Sequence, residues 1–537
     1  MAAAVAFCLI VALFADRFVA VSGSSAATME YKSTLFDTSE IMTVNIIMDE
    51  DQWQELLDNA ISEKYYACDV EINGKTISNV GIRTKGNTSL SSIANDPDTD
   101  RYSFKIKFDK YVDGQTCMGL DKLVLNNNFA DATNRKEALV YDMFQYLGAD
   151  ASLYHYAKIS VNGEYWGTYL ALEAVEDSFK LRNYGVSDGK LYKPETMGMG
   201  NDQKEDGINS DMSDRNVDTD ADTNADTNVD SNTNIFGSEE VDLARDNNPM
   251  DRPERPQGDF DQAGMDEKFK DPQGGSGDFG NRNGGADLNY TDDDVDSYST
   301  IWDGADGKVT DSDKERVVNA IKNINEGTDL TAYLDIDNIL KYMAVHEFVV
   351  NLDSLSGNMA HNYYLYENDG QLNIIPWDYN LSFGGMMNGG MGGSPGREST
   401  ESSEATSMIN DPIDTPFDGT DFFDALLENE EYLAQYHGYL RQLAEEYVQG
   451  GRLQEVWERL DAQTDELIET DPTAFYTAAE YEEAKETLWT VLQLRAESVL
   501  GQLDGTIPST DDGQQNAQDT LIDGSAIELS VMGEFNH

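Results

Sequence analysis

The sequence predicts an α+β fold in which a strand-rich first part is followed by a helical second part. Residues 40–195 contain short runs of alternating apolar and polar residues separated by turn dipeptides, which is the pattern of antiparallel hairpins. Residues 301–505 contain longer runs with apolar residues every three or four positions, which is the pattern of helices with one buried face. Residues 196–300 carry few apolar residues and much Asp, Asn and Gly, so we expect a long disordered acidic insertion between the two parts.

The strand-rich part begins with an apolar stretch, TVNIIMD, which predicts a strand, and an amphipathic stretch, EDQWQELLDNA, which predicts a short helix. Two hairpins are expected around Asn73-Gly74 and Asn162-Gly163, because Asn-Gly favours the tight turns of two-residue hairpin loops. The run NRKEALVYDMFQYLG has the apolar spacing of a helix, and Gly148 is expected to end it.

One further predicted strand, RYSFKIKFDKY, divides its side chains strictly between two faces. Phe104, Ile106 and Phe108 share one face, and Lys105 and Lys107 share the other. Such alternation is typical of a half-buried strand, so the aromatic face is expected to line the core.

The helical part begins with the run DIDNILKYMAVHEFVVN. Two strands follow, HNYYLYEN and QLNIIPWD, joined across Asp369-Gly370, and a loose segment rich in Gly and Met comes next. Helical patterns then dominate residues 415–503, whereas residues 506–537 form a polar tail that we expect to be disordered.

The chain of 537 residues has a formal net charge of −64. This excess of negative charge excludes nucleic-acid binding through a broad basic surface. An anionic ligand is repelled by the molecule as a whole, so a nucleotide site needs local Lys or Arg residues or a bound metal ion.

Residues 1–27 begin with an apolar run, MAAAVAFCLIVALFA, and continue with small and polar residues. The run is short for a membrane span and predicts a signal peptide, with an uncleaved N-terminal anchor as the alternative. We therefore expect a secreted or cell-surface protein whose mature chain spans no membrane unless this segment is retained. Beyond the segment, Cys68 and Cys117 either pair or stay as buried free thiols, and the sequence leaves both possibilities open.

Three oxygen-bearing residues of the second part are expected to surround one cleft. Asp353 follows a predicted helix, Asn362 begins a predicted strand, and Asp378 ends the next strand. A helix–loop–hairpin would bring these positions together, and carboxylate and amide oxygens suit Mg²⁺ or Mn²⁺ rather than zinc. The alternative is that Asp353 is a loop cap and Asn362 a turn residue.

Several stretches resemble a known family. The run HEFVVNLDSLSGNMAHNYYLYENDGQLNIIPWDYNLSFGG is similar to the signature of the spore-coat CotH family, which are secreted atypical protein kinases. VGIRTKGNTS is similar to the family's R-x-K-G-N-S-S stretch, and VNGEYWGTYLALEAVED to its N-G-x-Y-x-G-x-Y-x-x-x-E segment. DPTAFYTAAEYEE and LRAESVLGQL resemble its C-terminal helices, so the resemblance covers residues 40–195 and 300–505.

The resemblance implies a divergent two-lobed protein-kinase-like fold that uses ATP and Mg²⁺ or Mn²⁺. Asp378 matches the metal-binding Asp that stands where ordinary kinases have Asp-Phe-Gly. Asp353 matches the catalytic-loop Asp that accepts the proton of the substrate hydroxyl. Asn362, in the matched H-N-Y-Y-L-Y motif, is interpreted as the second metal ligand, and Asn358 is the alternative.

Within this interpretation the strand-rich part must supply cations for the phosphates. Lys105, on the polar face of its strand, is the candidate for the lysine that contacts phosphate, and Glu137 on the following helix is its expected ion-pair partner. Lys107 is a rival on the same face, and a solvated strand face is the alternative for both lysines.

Other residues of the matched stretches are also expected at the nucleotide. Arg83 and Lys85 are candidates for facing it, and Glu173 is a candidate for the adenine end, with a surface glutamate closing a hairpin as the alternative. One position departs from the family pattern, since Asn380 stands where P-W-D-x-D has a second aspartate. Asn380 carries no charge, so a second metal is expected to bind more weakly.

These observations predict an exported atypical protein kinase that transfers the ATP γ-phosphate to Ser or Thr of surface or coat proteins. The alternative is a non-catalytic acidic surface or coat protein that keeps a kinase-like scaffold. Such a protein would bind cations or basic partners through the insertion.

Overall fold

The computed structural model of the protein describes residues 29–196, 284–357, 359–386, 401–417 and 419–533. The predicted signal peptide, the alternative metal ligand Asn358 and most of the predicted insertion therefore lie outside the described residues. No described helix is both long enough and apolar enough to span a bilayer.

Seven strands of the first part close into a barrel in the order β1-β2-β3-β4-β5-β7-β6, in which β1 pairs with β6 in parallel. Phe104 and Ile106 are fully buried in the barrel core, and Lys105 and Lys107 lie half-buried on the other face of β4, which confirms the predicted alternation. The strands are β1 Met42–Ile47, β2 Tyr66–Ile72, β3 Lys75–Lys85, β4 Ser103–Lys107, β5 Lys122–Asn126, β6 Tyr154–Val161 and β7 Glu164–Glu173.

The three predicted turn dipeptides all connect hairpins. In Asn73-Gly74, Asn162-Gly163 and Asp369-Gly370 both residues have positive φ, between 48° and 88°. This backbone is costly for most residues but accessible to Asn, Asp and Gly, and it matches the twist of paired strands. The turns join β2 to β3, β6 to β7, and the two long strands of a second sheet.

The second sheet has three antiparallel strands in the order β10-β9-β8. Its first strand precedes the undescribed residues 197–283, and the other two follow them, so the sheet joins the two parts of the chain. Its strands are β8 Lys190–Tyr192, β9 Tyr363–Asn368 and β10 Gln371–Pro376.

Helices form most of the second part, and five helices accompany the barrel strands in the first part. The predicted helix before Gly148 is confirmed, and Gly148 ends it with φ 71°. The helices of the first part are α1 Glu30–Thr34, α2 Glu50–Asp58, α3 Thr88–Asn95, α4 Lys136–Leu147 and α5 Asp177–Tyr184. The helices of the second part are α6 Ser299–Asp303, α7 Asp311–Asn325, α8 Leu330–Tyr333, α9 Ile336–Phe348, α10 Glu401–Ile409, α11 Asp424–Leu427, α12 Glu430–Arg441, α13 Arg452–Glu469, α14 Ala478–Leu503 and α15 Asp511–Asn516.

The described residues contain two hydrophobic cores. One fills the barrel, and the other includes α4, α9, the C-terminal helices and residues on the outer face of the barrel such as Val124 and Leu172. Because α4 and the barrel exterior share the second core with the helical part, the division into two lobes stays a prediction.

Two stretches predicted to be disordered are folded. The tail after residue 506 carries α15 and a final turn, Leu529–Met532, whose two end residues are buried, and Ala132 N donates to the Met532 carbonyl at 3.1 Å. Residues 284–300, at the end of the predicted insertion, bury Ala286 and Leu288. Both stretches are polar on average, but their few apolar side chains pack against residues that are distant in the sequence.

The two cysteines are buried free thiols, which was one of the two possibilities left open. Cys68 lies on β2, and Cys117 forms an isolated bridge with Leu120. Burial raises the pKa of Cys68 to about 12 and that of Cys117 to about 11, so both thiols are protonated and unreactive at neutral pH.

Candidate active site

The β9–β10 hairpin positions two of the three predicted oxygen ligands. Pro376 pairs with Tyr363, so Asn362 and Asp378 flank the same end of the hairpin. The loop that leaves α9 carries Asp353 to this end, and its charge acts on Asp378. The helix–loop–hairpin therefore brings Asp353, Asn362 and Asp378 together, as the sequence predicts.

Asp353 is held by two side chains from the end of its own loop. His361 Nε2 lies 2.7 Å from Asp353 Oδ1, and Asn362 Nδ2 donates to Oδ2 at 3.0 Å and to the Asp353 carbonyl at 2.9 Å. Burial lowers the pKa of His361, but the Asp353 carboxylate outweighs burial and leaves that pKa raised. The imidazolium form of His361 is thus favoured, and the two contacts fix the orientation of the Asp353 side chain.

Asp378 is fixed through its neighbours in the chain. Its φ is 62°, in the left-handed region that an Asp side chain tolerates. Tyr379 is fully buried, with its ring 5.4 Å from the ring of Phe144 on α4 and its hydroxyl 3.1 Å from His346 Nδ1 on α9. Trp377 is buried on the other side, so the carboxylate between the two aromatic residues has little freedom to move.

The Asp378 carboxylate is poorly stabilised by the protein itself. Burial raises its pKa, the positive charges of Lys85 and Lys193 lower it, and the pKa remains above the ordinary value. Among the described residues, none donates a side-chain hydrogen bond to this carboxylate. A carboxylate whose pKa is raised by its surroundings is a group that a bound cation would stabilise.

The structure places Lys85, rather than Lys105, beside Glu137. Lys85 Nζ donates to Asn126 Oδ1 at 2.9 Å, and Asn126 Nδ2 donates to Glu137 Oε2 at 2.8 Å, so an amide stands between the lysine and the glutamate. The β3–β4 register sets Lys85 opposite Ser103 but Lys105 opposite Arg83, which is one row further along the same face. Both lysines satisfy the alternation pattern, and only the register separates them.

Glu137 lies on the first turn of α4 with 3% of its surface exposed. Burial raises its pKa to about 8, with a further contribution from the negative charge of Asp378. Its Oε1 is buried and has no hydrogen-bond partner, while Oε2 accepts from Asn126. A buried carboxylate oxygen without a hydrogen bond is rare and unfavourable in a folded protein. Glu137 Oε1 therefore marks a place near Asp378 where a cation could bind.

Three other predicted residues are engaged elsewhere. Arg83 is buried and forms an ion pair with Glu63 at 2.7 Å. Glu173 is fully buried and accepts hydrogen bonds from Arg182 Nη2 at 2.5 Å and from Tyr31. This buried position fits neither the adenine end of an open site nor a surface glutamate that closes a hairpin. Lys107 lies opposite Gly81 on β3 and Lys122 on β5, one row beyond Lys105 from the end of β3 that carries Lys85.

Asn380 makes a structural contact. Its Nδ2 donates to the Phe129 carbonyl at 3.0 Å, which ties the loop after β10 to the segment before α4. The charge that an aspartate would supply here is absent, so the predicted weakness of a second metal site stays a prediction.

The sequence reasoning missed three residues of the site: Asn126, His361 and Lys193. His361 directly precedes the predicted Asn362, and its spacing of eight residues from Asp353 was the available signal. Asn126 and Lys193 had no such signal, because their roles depend on the strand register and on a segment that comes after the barrel.

The donor set fits a hard divalent cation. Asp378 carboxylate oxygens, the Asn362 amide oxygen left over by the Nδ2 contacts, and Glu137 Oε1 are all oxygen ligands of the kind that Mg²⁺ and Mn²⁺ prefer. In the described residues no group of three or more His, Cys, Asp and Glu side chains is arranged for a metal, so the amide would have to contribute.

A comparison with protein families decides the affiliation. The model of the family described as "CotH kinase protein" matches residues 82–241 and 260–499, which include the whole site. The chain belongs to the CotH kinase family. No curated protein matches the chain. Membership supports a kinase-like function in general, with use of ATP and a divalent metal ion.

Proposed function

We propose that the protein is an exported atypical protein kinase that transfers the ATP γ-phosphate to a Ser or Thr hydroxyl of surface or coat proteins. One observation carries the proposal: a lysine held in place by Asn126 and an aspartate held in place by His361 both lie at Asp378. A phosphate-binding cation, a proton acceptor and a metal-binding carboxylate are the parts that phosphoryl transfer needs.

The Lys85 ammonium would bind phosphate oxygens, because Asn126 fixes it and the chain otherwise repels anions. Asp353 would accept the proton of the attacking hydroxyl as the new oxygen–phosphorus bond forms. The bond from the γ-phosphorus to the ADP oxygen breaks in the same transfer, and the electron pair leaves with ADP. His361 and Asn362 would keep Asp353 oriented toward the hydroxyl.

Asp378 and Asn362, with Glu137 Oε1 nearby, would hold the divalent cation. When bound, Mg²⁺ or Mn²⁺ neutralises charge on the phosphates. The pKa values of Glu137 and Asp378 are raised without it, so both carboxyls gain most from a cation at neutral pH.

Export and the protein substrates rest on the sequence. Residues 1–27 favour a signal peptide, and the strong negative charge fits basic protein segments better than nucleic acid. A non-catalytic acidic surface protein is the alternative, favoured by the neutral Asn380 and its structural contact with Phe129.

The proposal is tested by following γ-labelled ATP with Mg²⁺ or Mn²⁺ into the full chain itself and into a basic Ser/Thr-rich protein. Asp353→Asn is expected to lower the rate about 10²- to 10⁴-fold, the range for loss of a general base. Asp378→Asn is expected to abolish transfer, because it removes the charged ligand assigned to the metal ion.

Asp369→Asn provides a matched control. It removes an exposed carboxylate from the turn of the same hairpin, where Asn adopts the required positive φ, so the rate should stay at the wild-type value. If the wild type neither binds ATP nor labels any protein in the presence of Mg²⁺ or Mn²⁺, the kinase proposal is refuted and the non-catalytic alternative remains.

A further inference from the structure

The residues that follow β8 form an ion pair at the edge of the site. Lys193 Nζ lies 2.5 Å from Glu195 Oε1, and Asn87 Nδ2 donates to Glu195 Oε2 at 3.2 Å. The Glu195 carboxylate is therefore held at both of its oxygens, once by an ammonium and once by an amide.

Three observations place this carboxylate at the proposed active site. Asn87 follows Lys85 by two residues, and Thr196 Oγ1 donates at 2.5 Å to the Met359 carbonyl in the loop that carries Asp353. The charge of Lys193 lowers the pKa of Asp378, although burial and Lys85 act more strongly on it. Glu195 thus lies between the Lys85–Asn87 turn and the catalytic loop.

Two lysines lie over neighbouring aromatic rings at this edge of the site. Lys85 Nζ is 5.8 Å from the ring centre of Trp377, Lys193 Nζ is 6.0 Å from that of Tyr364, and the two ring centres are 5.4 Å apart. Burial lowers the pKa of Lys85, and the charge of Lys193 lowers it further, while Asp378 and Glu137 oppose that effect. Two positive charges close together repel each other, and an anion between them lowers that repulsion. In the described residues the anion bound to Lys193 is Glu195.

The pair is partly exposed, unlike the buried Arg182–Glu173 pair. The side chains of Lys193 and Glu195 are 31% and 29% exposed, whereas those of Arg182 and Glu173 are 10% and 0% exposed. A ligand from solution can therefore reach Lys193 and replace a partner whose contribution to stability is small.

The backbone that presents Lys193 is tightly held. Lys193 N donates to the Gly304 carbonyl at 2.7 Å, and a Cβ on Gly304 would lie 2.2 Å from the Lys193 carbonyl oxygen. Only glycine allows this approach, so the segment is fixed while the two side chains remain accessible.

We propose that Lys193, Asn87 and Lys85 form a phosphate-binding subsite in which the Glu195 carboxylate is an internal counter-ion that the phosphates of the nucleotide replace. The assignment of the phosphates to a nucleotide rests on the proposed kinase function. The subsite itself requires only a phosphate group. A phosphate is an anion with acceptor oxygens, like the carboxylate that it displaces.

Calorimetric titration of the full chain with Mg-ATP and, separately, with inorganic tripolyphosphate tests the subsite. Lys193→Met is expected to weaken the binding of both ligands about tenfold or more, because a charged hydrogen bond to phosphate is lost. Lys193→Arg is expected to restore most of the affinity, because it supplies a charged donor again. Glu195→Gln is expected to tighten both ligands about two- to fivefold, because the competing anion is gone. Adenosine, which has no phosphates, should bind all variants alike.

Lys190→Met is the matched control, because Lys190 begins β8, three residues before Lys193, and donates to the Lys308 carbonyl at the surface. Wild-type affinity for ATP in both Lys193→Met and Glu195→Gln would overturn the subsite and leave the kinase proposal standing. Tripolyphosphate binding that depends on Lys193, without ATP binding or transfer, would support the subsite and refute the kinase proposal. No binding of either ligand to the wild type would refute both.

Discussion

Replacing Glu137 by Gln is expected to change the pH dependence of stability in a defined direction. Burial and the charge of Asp378 raise the pKa of Glu137 from 4.5 to about 8. Between these values the folded protein keeps a proton that the unfolded chain has released, so the free energy of unfolding falls as pH rises. One proton corresponds to about 1.4 kcal/mol per pH unit, which accumulates to about 4 kcal/mol between about pH 5 and about pH 8.

The neutral Glu137→Gln variant loses this contribution and can still accept from Asn126. Urea unfolding in a chelator should therefore give similar stabilities for the two proteins near about pH 5, with the variant gaining up to about 1.4 kcal/mol per unit above it. Glu164→Gln, at the exposed first residue of β7, is the control for loss of a carboxylate. Parallel pH profiles for wild type and Glu137→Gln would refute the argument that Glu137 is a buried, strained carboxyl beside Asp378.

Three further predictions concern the lysine assignment, a buried ion pair and the folded tail. Lys85→Met should weaken ATP binding about tenfold or more, and Lys105→Met less than about threefold, in equilibrium binding measurements; the reverse order would restore the assignment made from alternation alone. Arg495→Met should cost about 3–5 kcal/mol in urea unfolding, because it leaves Glu347 buried without its 2.7 Å partner, and a loss below about 1 kcal/mol would contradict this. Deleting residues 506–537 should lower the melting temperature by several degrees, because buried apolar residues are lost, and an unchanged value would show that the tail does not contribute.

Local signals predicted much of this fold. Asn-Gly and Asp-Gly dipeptides favour positive φ at two successive residues, so the turn of each of the three hairpins could be predicted from its dipeptide. The helix α4 was delimited by its apolar spacing and by Gly148. The convergence of Asp353, Asn362 and Asp378 followed from connectivity, because a hairpin returns the chain to the loop that precedes it.

The choice between Lys85 and Lys105 depends on information that alternation does not contain. Alternation assigns a side chain to a face of a strand, but it does not say which cross-strand row lies at the cleft. The row is set by pairing with Asn126 on β5 and by the position of Glu137 on α4, and both are non-local.

Lys193 and the C-terminal tail could not be predicted for a similar reason. Lys193 enters the site because β8 pairs with β9, which lies more than one hundred residues later in the chain. The tail has a polar average composition, yet Leu529 and Met532 are buried against residues of the first part and of α10. Composition describes the mean of a segment, whereas burial depends on the few residues that find a complementary surface.

In the proposed kinase site, the nucleotide phosphates lie between Lys85 and Asp378. An ATP analogue with a reactive acyl phosphate acylates the lysines that contact its phosphates, and peptide mass spectrometry identifies them. We predict modification of Lys85, and of Lys193 where the subsite is formed, with protection by an excess of ATP and loss of modification in Asp378→Asn when the metal site is lost. Modification of Lys105 in place of Lys85, or labelling that ATP does not prevent, would contradict the account.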